Sequence, residues 1–287
     1  MPQPQNPIDR LKRMPYSHIE YGKTNGCYSI EMSSDDYHLD RHHISSSGCK
    51  VLLRSPAHFQ AYRNAIQKEP TAPQRLGSAL HCAVLEHERF EQEYIKFDGD
   101  RRGSAWTSFK MQHSGKEVLN TQEWQAVSGM RDAIEKFQMF PVGGLVRGGS
   151  SEKSIFFEDE ETSVPCKIRC DSVNPHLILD LKTTDDARDH AFVRQTMKLQ
   201  YDLQAAMYVE GCRHFFGRTL PFYFVVVETH PPFGVMVHKA GESVIEIGFR
   251  KWRKSLELYK SCMDANAWPS YADPLSVLEL PHWAQEK

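Results

Sequence analysis

The sequence lacks the features that would place it at a membrane or outside the cell. No apolar run approaches the ~20 residues that a membrane-spanning helix requires. The amino-terminal stretch has no apolar core of the kind that a signal peptide carries. We therefore expect a cytoplasmic protein that does not contact a membrane.

The cysteines and the net charge indicate in which compartment the protein works and what it could bind. The seven cysteines are odd in number and scattered, which fits a reducing compartment better than a disulfide framework. The formal net charge is only -2, which argues mildly against a protein that binds DNA by its overall charge. Any nucleic-acid partner must therefore meet a local basic surface.

The composition is that of an ordinary globular protein, and the pattern along the chain divides it. Residues 1–36 are polar and proline-containing, and we expect a poorly ordered leader there. We expect one domain over residues 37–287. Within it we predict a mainly helical part at 37–145, a catalytic core at 150–265 and a tail at 266–287.

Periodic apolar residues predict most of the elements. Two predicted helices begin at the serines at 45–47 and at Ser55. Further helices are predicted over residues 74–90, 121–140, 185–196, 199–215 and 242–265. The predicted strands cover residues 152–158, 165–173, 177–182, 220–228 and 234–238. This order favours an α/β fold, with a mixed sheet of about five strands flanked by helices.

One predicted strand carries polar groups that are costly to bury. In residues 177–182 alternation sends Leu179 to one face and Asp180 and Lys182 to the other. Alternation in residues 167–171 places Asp171 on the polar face of the preceding strand, from which it could approach Asp180. A surface ion pair on an edge strand is the simpler reading of Asp180 and Lys182 alone.

Two carboxylates and a lysine at one sheet edge favour a metal site that activates water against a phosphodiester. Magnesium needs one or two carboxylates and keeps several waters. Asp171, Asp180 and the backbone carbonyl of Leu181 could supply the ligands, and Lys182 could orient the attacking water.

Other segments could contribute to the same chemistry. Gln204 and Tyr208 share a face of the next predicted helix, and could order water or touch phosphate; an amphipathic helix is the alternative. Residues 96–116 interleave aromatic and basic side chains, including Arg101 and Arg102. Such a stretch suits nucleic-acid contact, although a solvated loop and helix is equally consistent.

Together these residues resemble a known group. Asp171, then Asp180-Leu-Lys182, then Gln204-Ala-Ala-Met-Tyr208 resembles the PD-(D/E)XK nuclease signature in its RecB-like branch. The upstream segments at residues 44–59 and Leu76-Gly-Ser-Ala-Leu-His81 are similar to those of RecE-type prophage exonucleases, related to exodeoxyribonuclease VIII. The resemblance covers residues 37–265 and implies a restriction-endonuclease-like core with an amino-terminal helical extension.

The resemblance also implies functions for particular residues. It assigns His81 as a metal ligand, with histidine suiting Mn²⁺ better than Mg²⁺, and two ions in each site. It places Ser47, Lys50 and Arg54 in a 5'-phosphate pocket. Cys166 and Cys170 do not complete the cysteine set that a cluster requires, so neither an iron–sulfur cluster nor zinc is expected.

The implied activity is metal-dependent hydrolysis of double-stranded DNA from its ends, in the 5'-to-3' direction. It would generate single strands for recombination by annealing. The implied partners are DNA ends, a single-strand annealing protein and other subunits of a closed ring. The alternatives are a structure-specific or sequence-specific endonuclease on the same fold, and a catalytically inert module that binds DNA ends.

Overall fold

A seven-stranded mixed sheet forms the centre of the protein in a computed structural model. The structure describes residues 19–65, 70–137, 149–271, 275 and 277–279. The strand order is β1-β2-β5-β6-β7-β8-β9, and a separate two-stranded sheet pairs β3 with β4. The strands are β1 Ile19–Tyr21, β2 Tyr28–Ile30, β3 Tyr94–Phe97, β4 Glu117–Asn120, β5 Ser150–Glu158, β6 Pro165–Asn174, β7 Leu177–Thr184, β8 Phe222–Glu228 and β9 Val235–Lys239.

Helices cover both faces of this sheet. In chain order they are α1 Ser34–Leu39, α2 Ser46–Arg54, α3 Pro56–Asn64, α4 Ala72–Leu85, α5 His87–Glu93, α6 Gly103–Gln112, α7 Thr121–Lys136, α8 Asp189–Leu199, α9 Tyr201–Phe216 and α10 Glu242–Ala265. None of these described helices is long and apolar enough to cross a membrane.

The sheet separates two apolar cores. The larger one buries α2, α3, α9 and α10 against one face, with Leu52, Leu203 and Trp252 among its members. The smaller one buries α4, α5 and α7 against the other face, and includes Leu80. Strand β8 contributes to both cores because it is buried on both faces, as its near-continuous apolar run predicts.

The direction of the strands changes next to β7. Strand β6 runs antiparallel to both of its neighbours, β5 and β7, whereas β7 and β8 are parallel. A parallel pair requires a crossover connection, and α8 and α9 supply it. The structure therefore confirms the predicted class, a mixed sheet with helices on both sides.

The helix starts follow from their capping residues. The side chain of Ser45 accepts a hydrogen bond from the backbone N–H of Gly48 at 3.3 Å. Ser55 caps α3 in the same way, and Pro56 occupies its first turn, where a missing N–H costs nothing. Both starts were predicted from the sequence.

Several expectations do not hold. Residues 19–36 are not a poorly ordered leader, since β1 and β2 extend the sheet antiparallel to β5 and bury Tyr28 and Ile30. These two strands raise the strand number of the sheet from about five to seven. Residues 1–18 lie outside the described part of the chain.

Other boundaries differ more modestly. The helix predicted over residues 74–90 is two helices, α4 and α5, and the one predicted to end at residue 140 is described as ending at Lys136. Residues 96–116 include the whole of α6 and the end of β3, not only a loop and a helix. Much of the predicted tail at 266–287 lies outside the described residues, and the division of residues 37–287 stays a prediction.

Candidate active site

The candidate site lies where strands β6 and β7 separate. Their hydrogen-bonded ladder covers the three residue pairs from Ser172↔Leu179 to Asn174↔Leu177. One residue before it, the Oδ2 atom of Asp171 accepts a hydrogen bond from the backbone N–H of Leu181 at 2.6 Å. The Asp171 carboxylate thus takes the place of a strand partner and lies against the segment that carries Asp180 and Lys182.

Asp171 is one of three side chains that could hold a metal ion together. Ligand atoms of His81, Glu152 and Asp171 all lie within 4.8 Å of one another. Glu152 arrives through the register of β5 and β6, in which Ser151 pairs with Ser172 and places Glu152 opposite Asp171. The donor set of one imidazole and two carboxylates suits a divalent cation.

The position of Glu152 depends on its backbone conformation and on Arg169. Its backbone has a φ of 52°, in the left-handed region that is uncommon for a residue other than glycine. The Nε atom of Arg169 donates to its Oε2 atom at 2.5 Å, and the guanidinium also donates to the hydroxyl of Ser154. Arg169 therefore orients the Glu152 carboxylate toward the cluster.

The ring orientation of His81 follows from its hydrogen bond. Its Nε2 atom lies 3.0 Å from the carbonyl oxygen of Leu181, which can only accept, so Nε2 is the donor. In the neutral ring the Nδ1 lone pair is then free, and Nδ1 lies 3.6 Å from the Oδ1 atom of Asp171. An outer hydrogen bond of this kind is how proteins orient a metal-binding histidine.

Burial and charge make Asp171 unusually basic for a carboxylate. Burial is the main cause that raises its pKa to about 7, and the nearby Asp180 and Glu152 carboxylates add to this, while His81 and Lys182 oppose it. A cation bound beside Asp171 would offset this crowding of negative charge.

Asp180 is fully buried and has two partners. Its Oδ1 atom accepts a hydrogen bond from Nε2 of Gln204 on α9 at 2.7 Å. Its other oxygen forms an ion pair with Lys182. Gln204, which was predicted to order water or touch phosphate, thus contacts Asp180 from α9, and its role in ordering the site stays a prediction.

Lys182 remains a cation at this position. Burial alone would lower its pKa, but the Asp180 and Asp171 carboxylates outweigh burial and raise the pKa above the usual lysine value. Its ammonium nitrogen lies 4.9 Å from the ring centroid of Tyr201, the first residue of α9.

The same aromatic ring also contacts Lys50 of α2. The Lys50 ammonium lies 5.4 Å from the Tyr201 centroid. Burial lowers the pKa of Lys50 to about 8, and the neighbouring charge of Lys182 contributes. Tyr201 therefore brings two lysines from different elements together by cation–π contact.

A groove of about 650 Å³ gives access to the cluster. It contains His81, Glu152 and Asp171, with Tyr208 beside them and the exposed Ser47 at its rim. Burial raises the pKa of Tyr208 well above its ordinary value, so the phenol stays neutral. The predicted residues His81, Asp171, Tyr208 and Ser47 thus share one opening.

The arginines predicted to bind DNA lie elsewhere. Arg101 donates to Glu123 at 2.5 Å and to the carbonyl of Val118 at 2.6 Å, so its guanidinium holds the start of α7. Arg54 and Arg102 are exposed, and neither is among the described residues that line the groove. Their contact with DNA stays a prediction.

Two residues of the site were missed from the sequence. Glu152 could have been found by pairing the predicted strand at 152–158 antiparallel with the one at 165–173, because that pairing faces it with Asp171. Tyr201 gives no such signal, since its role depends on where α2 and β7 meet.

The chain is similar to known proteins in sequence and in fold. A family model described as a PDDEXK-like domain of unknown function (DUF3799) matches residues 45–280. The crystal structure of "Putative exonuclease" from Eubacterium rectale has a similar fold, with a TM-score of 0.60 and 16% identity, covering 88% of this chain and 96% of that chain. No curated protein sequence matches.

Proposed function

The chain belongs to the family described as a PDDEXK-like domain of unknown function, and from that membership we propose that it is a metal-dependent exodeoxyribonuclease. It hydrolyses phosphodiester bonds from the ends of double-stranded DNA, in the 5'-to-3' direction, as RecE-type enzymes do. The observation that carries the proposal is the joint placement of the His81–Glu152–Asp171 cluster and the Asp180–Lys182 pair at one break in the sheet.

The residues fit the metal that this activity requires. His81 Nδ1, Glu152 and Asp171 would hold Mg²⁺ or Mn²⁺, and the imidazole makes Mn²⁺ the better match. Such a cation supplies an activated water and neutralises charge on the phosphate. A second ion, with Asp180 and the Leu181 carbonyl as further ligands, belongs to the same proposal.

The chain's own side chains then position the reactants. The Lys182 ammonium donates to the attacking water or to a phosphate oxygen, since the Asp180 carboxylate keeps it protonated. Gln204 fixes Asp180, and the neutral Tyr208 offers a hydroxyl inside the groove.

The partners that we propose follow from the resemblance to RecE-type enzymes. They are double-stranded DNA ends, a single-strand annealing protein that receives the product, and other copies of the chain in a closed ring. Ser47 and Lys50, near the groove and Lys182, are the proposed contacts of the 5'-phosphate.

An assay of DNA cleavage tests this function. The protein is incubated with Mg²⁺ or Mn²⁺ and either an end-labelled linear duplex or the same DNA as a covalently closed circle. We expect digestion of the linear form alone, and loss of digestion by at least about 100-fold in Asp180→Asn and Lys182→Ala. Lys254→Ala on α10 is the matched control.

Cleavage of the closed circle would instead establish an endonuclease. Robust digestion by Asp180→Asn or Lys182→Ala would show that the active site lies elsewhere. Absence of digestion in the wild-type protein, with DNA ends still bound, would establish an inert end-binding module.

A further inference from the structure

Helix α8 exposes a face that combines apolar and basic side chains. Val193 is 56% exposed and Met197 is 69% exposed, one helical turn apart. Arg194 and Lys198 lie beside them, also one turn apart and exposed, and neither has an ion-pair partner among the described residues. The function proposed above uses none of these four side chains.

The opposite side of α8 forms hydrogen bonds with β7. Gln195 accepts a hydrogen bond from the Thr184 hydroxyl at 2.7 Å, and its amide donates to the carbonyl of Thr183 at 3.1 Å. Thr183 directly follows Lys182. These hydrogen bonds therefore fix the exposed face of α8 relative to the carboxyl end of β7, the strand that carries Lys182.

The carboxyl end of α8 also lies near Lys182. Two residues after Leu199 the chain reaches Tyr201, whose ring contacts the Lys182 ammonium. Gln195 also lies 3.5 Å from the Tyr201 hydroxyl. Helix α8 is therefore attached to the Lys182 segment at both Gln195 and Tyr201.

The charges on the exposed face of α8 suit an anionic partner. No acidic residue occurs between His190 and Tyr201, although the whole chain has a net charge of -2. A cation in the last turn, such as Lys198, also stabilises the helix dipole, but Arg194 lies too far from the end for that explanation. DNA supplies both complements of this face, phosphates for the cations and base or sugar surfaces for Val193 and Met197.

We propose that α8 binds the DNA end beside the cleavage site. Arg194 and Lys198 pair with phosphates, and Val193 and Met197 pack against base faces, which a duplex exposes only at an end or where it is unpaired. This proposal rests on the nuclease function and assigns recognition of the end to a specific helix.

Two double variants separate the two contacts. Arg194→Gln/Lys198→Gln should raise the KM for linear duplex on the order of tenfold and reduce the slope of log Kd against log salt by about 2, the value for two lost phosphate contacts. Val193→Gln/Met197→Gln should raise the KM for linear duplex and leave the salt slope and the Kd for closed circular DNA unchanged. Kd is measured by fluorescence anisotropy in the Lys182→Ala background.

Matched controls lie on other elements. Lys239→Gln/Lys254→Gln removes two exposed lysines of β9 and α10 that have no ion-pair partner in the part of the chain that the structure describes. Met263→Gln removes a methionine of α10 that is 51% exposed. Both should keep the wild-type KM. Thermal melting checks folding, which these exposed changes should leave intact.

Wild-type KM and Kd in both α8 variants would overturn the proposal while leaving the nuclease function standing. A changed oligomeric mass of Val193→Gln/Met197→Gln in sedimentation, with DNA binding unaltered, would also overturn it, because the face would then be a subunit contact. If the wild-type protein cleaves nothing, the nuclease function fails, and the anisotropy measurements still decide whether α8 binds DNA.

Discussion

Three acidic side chains meet at the candidate site, and each is held by a different partner. Arg169 orients Glu152, the backbone N–H of Leu181 binds Asp171, and Gln204 holds Asp180. Glu152 and Asp171 line the groove, whereas Asp180 is fully buried. The first two carboxylates are therefore the ones that a cation entering from the groove meets.

Glu152→Gln should weaken binding of Mn²⁺ by on the order of tenfold or more, because an amide keeps the shape but removes one anionic ligand. Calorimetric titration of the apo protein measures this affinity. Glu158→Gln, at the exposed end of the same strand, is the control and should bind as the wild type does. Equal affinities for the two variants would exclude Glu152 as a ligand.

Metal binding should depend on pH near neutrality. Burial raises the pKa of Asp171 to about 7, so the carboxyl holds its proton at pH 6 and must release it to bind a cation. Below about pH 7 the affinity should fall by about tenfold for each pH unit, and above it the affinity should level off.

Calorimetry at pH 6 and pH 8, in two buffers with different ionisation enthalpies, reports the released proton. Asp171→Asn should abolish the release. Proton release of the wild-type size in that variant would assign the titration to another group.

At the scale of single elements, alternation in β7 placed Asp180 and Lys182 correctly because side-chain direction in a strand depends only on local geometry. Helical spacing placed Gln204 and Tyr208 on one face of α9 in the same way, but the contact of Gln204 with Asp180 depends on how α9 packs against β7. Glu152 could not be placed so easily, since its role requires the register of β5 against β6 and a left-handed backbone.

Strands β1 and β2 escaped prediction because three residues are too few to display a period. Strand β2 is stabilised by pairing with β5, more than one hundred residues later, and β1 in turn pairs with β2. Local sequence carries no record of such a pairing. The polar composition of residues 1–36 was therefore a poor guide to the order of residues 19–36.

Ile30→Ala should reveal that β2 belongs to the folded core. Ile30 is 2% exposed, and truncating a buried isoleucine costs about 2–4 kcal/mol of the free energy of unfolding. Tyr21→Ala on β1, where the side chain is 68% exposed, should change it by less than about 0.5 kcal/mol. Urea denaturation measures both, and equal midpoints would contradict the placement of β2.

For the whole molecule, a net charge of -2 requires that DNA be held by local features. The candidates are the Lys50–Tyr201–Lys182 contact, the α8 face and the groove rim at Ser47. All of them lie close to the break between β6 and β7. Under the function proposed above, the substrate would be bound mainly beside the site of cleavage.

A duplex with a 5'-phosphate at one end and a 5'-hydroxyl at the other should be degraded from the phosphorylated end first. The Ser47 hydroxyl and the Lys50 ammonium are the groups that would select the phosphate. Ser47→Ala should reduce this preference several-fold, and Ser108→Ala on α6 should not. Time courses with a different label on each end measure the polarity, and equal degradation from both ends would refute it.

The hydrogen bond from the backbone N–H of Leu181 to the Asp171 carboxylate limits which residues can replace Asp171. Asp171→Ala would remove a proposed metal ligand and also leave a buried amide N–H without an acceptor, at a cost of about 1–3 kcal/mol. Asp171→Asn keeps an acceptor and loses only the charge. Selection for a folded chain and selection for a working catalyst therefore act on the same carboxylate, and inactive descendants of this protein should more often carry asparagine than alanine there.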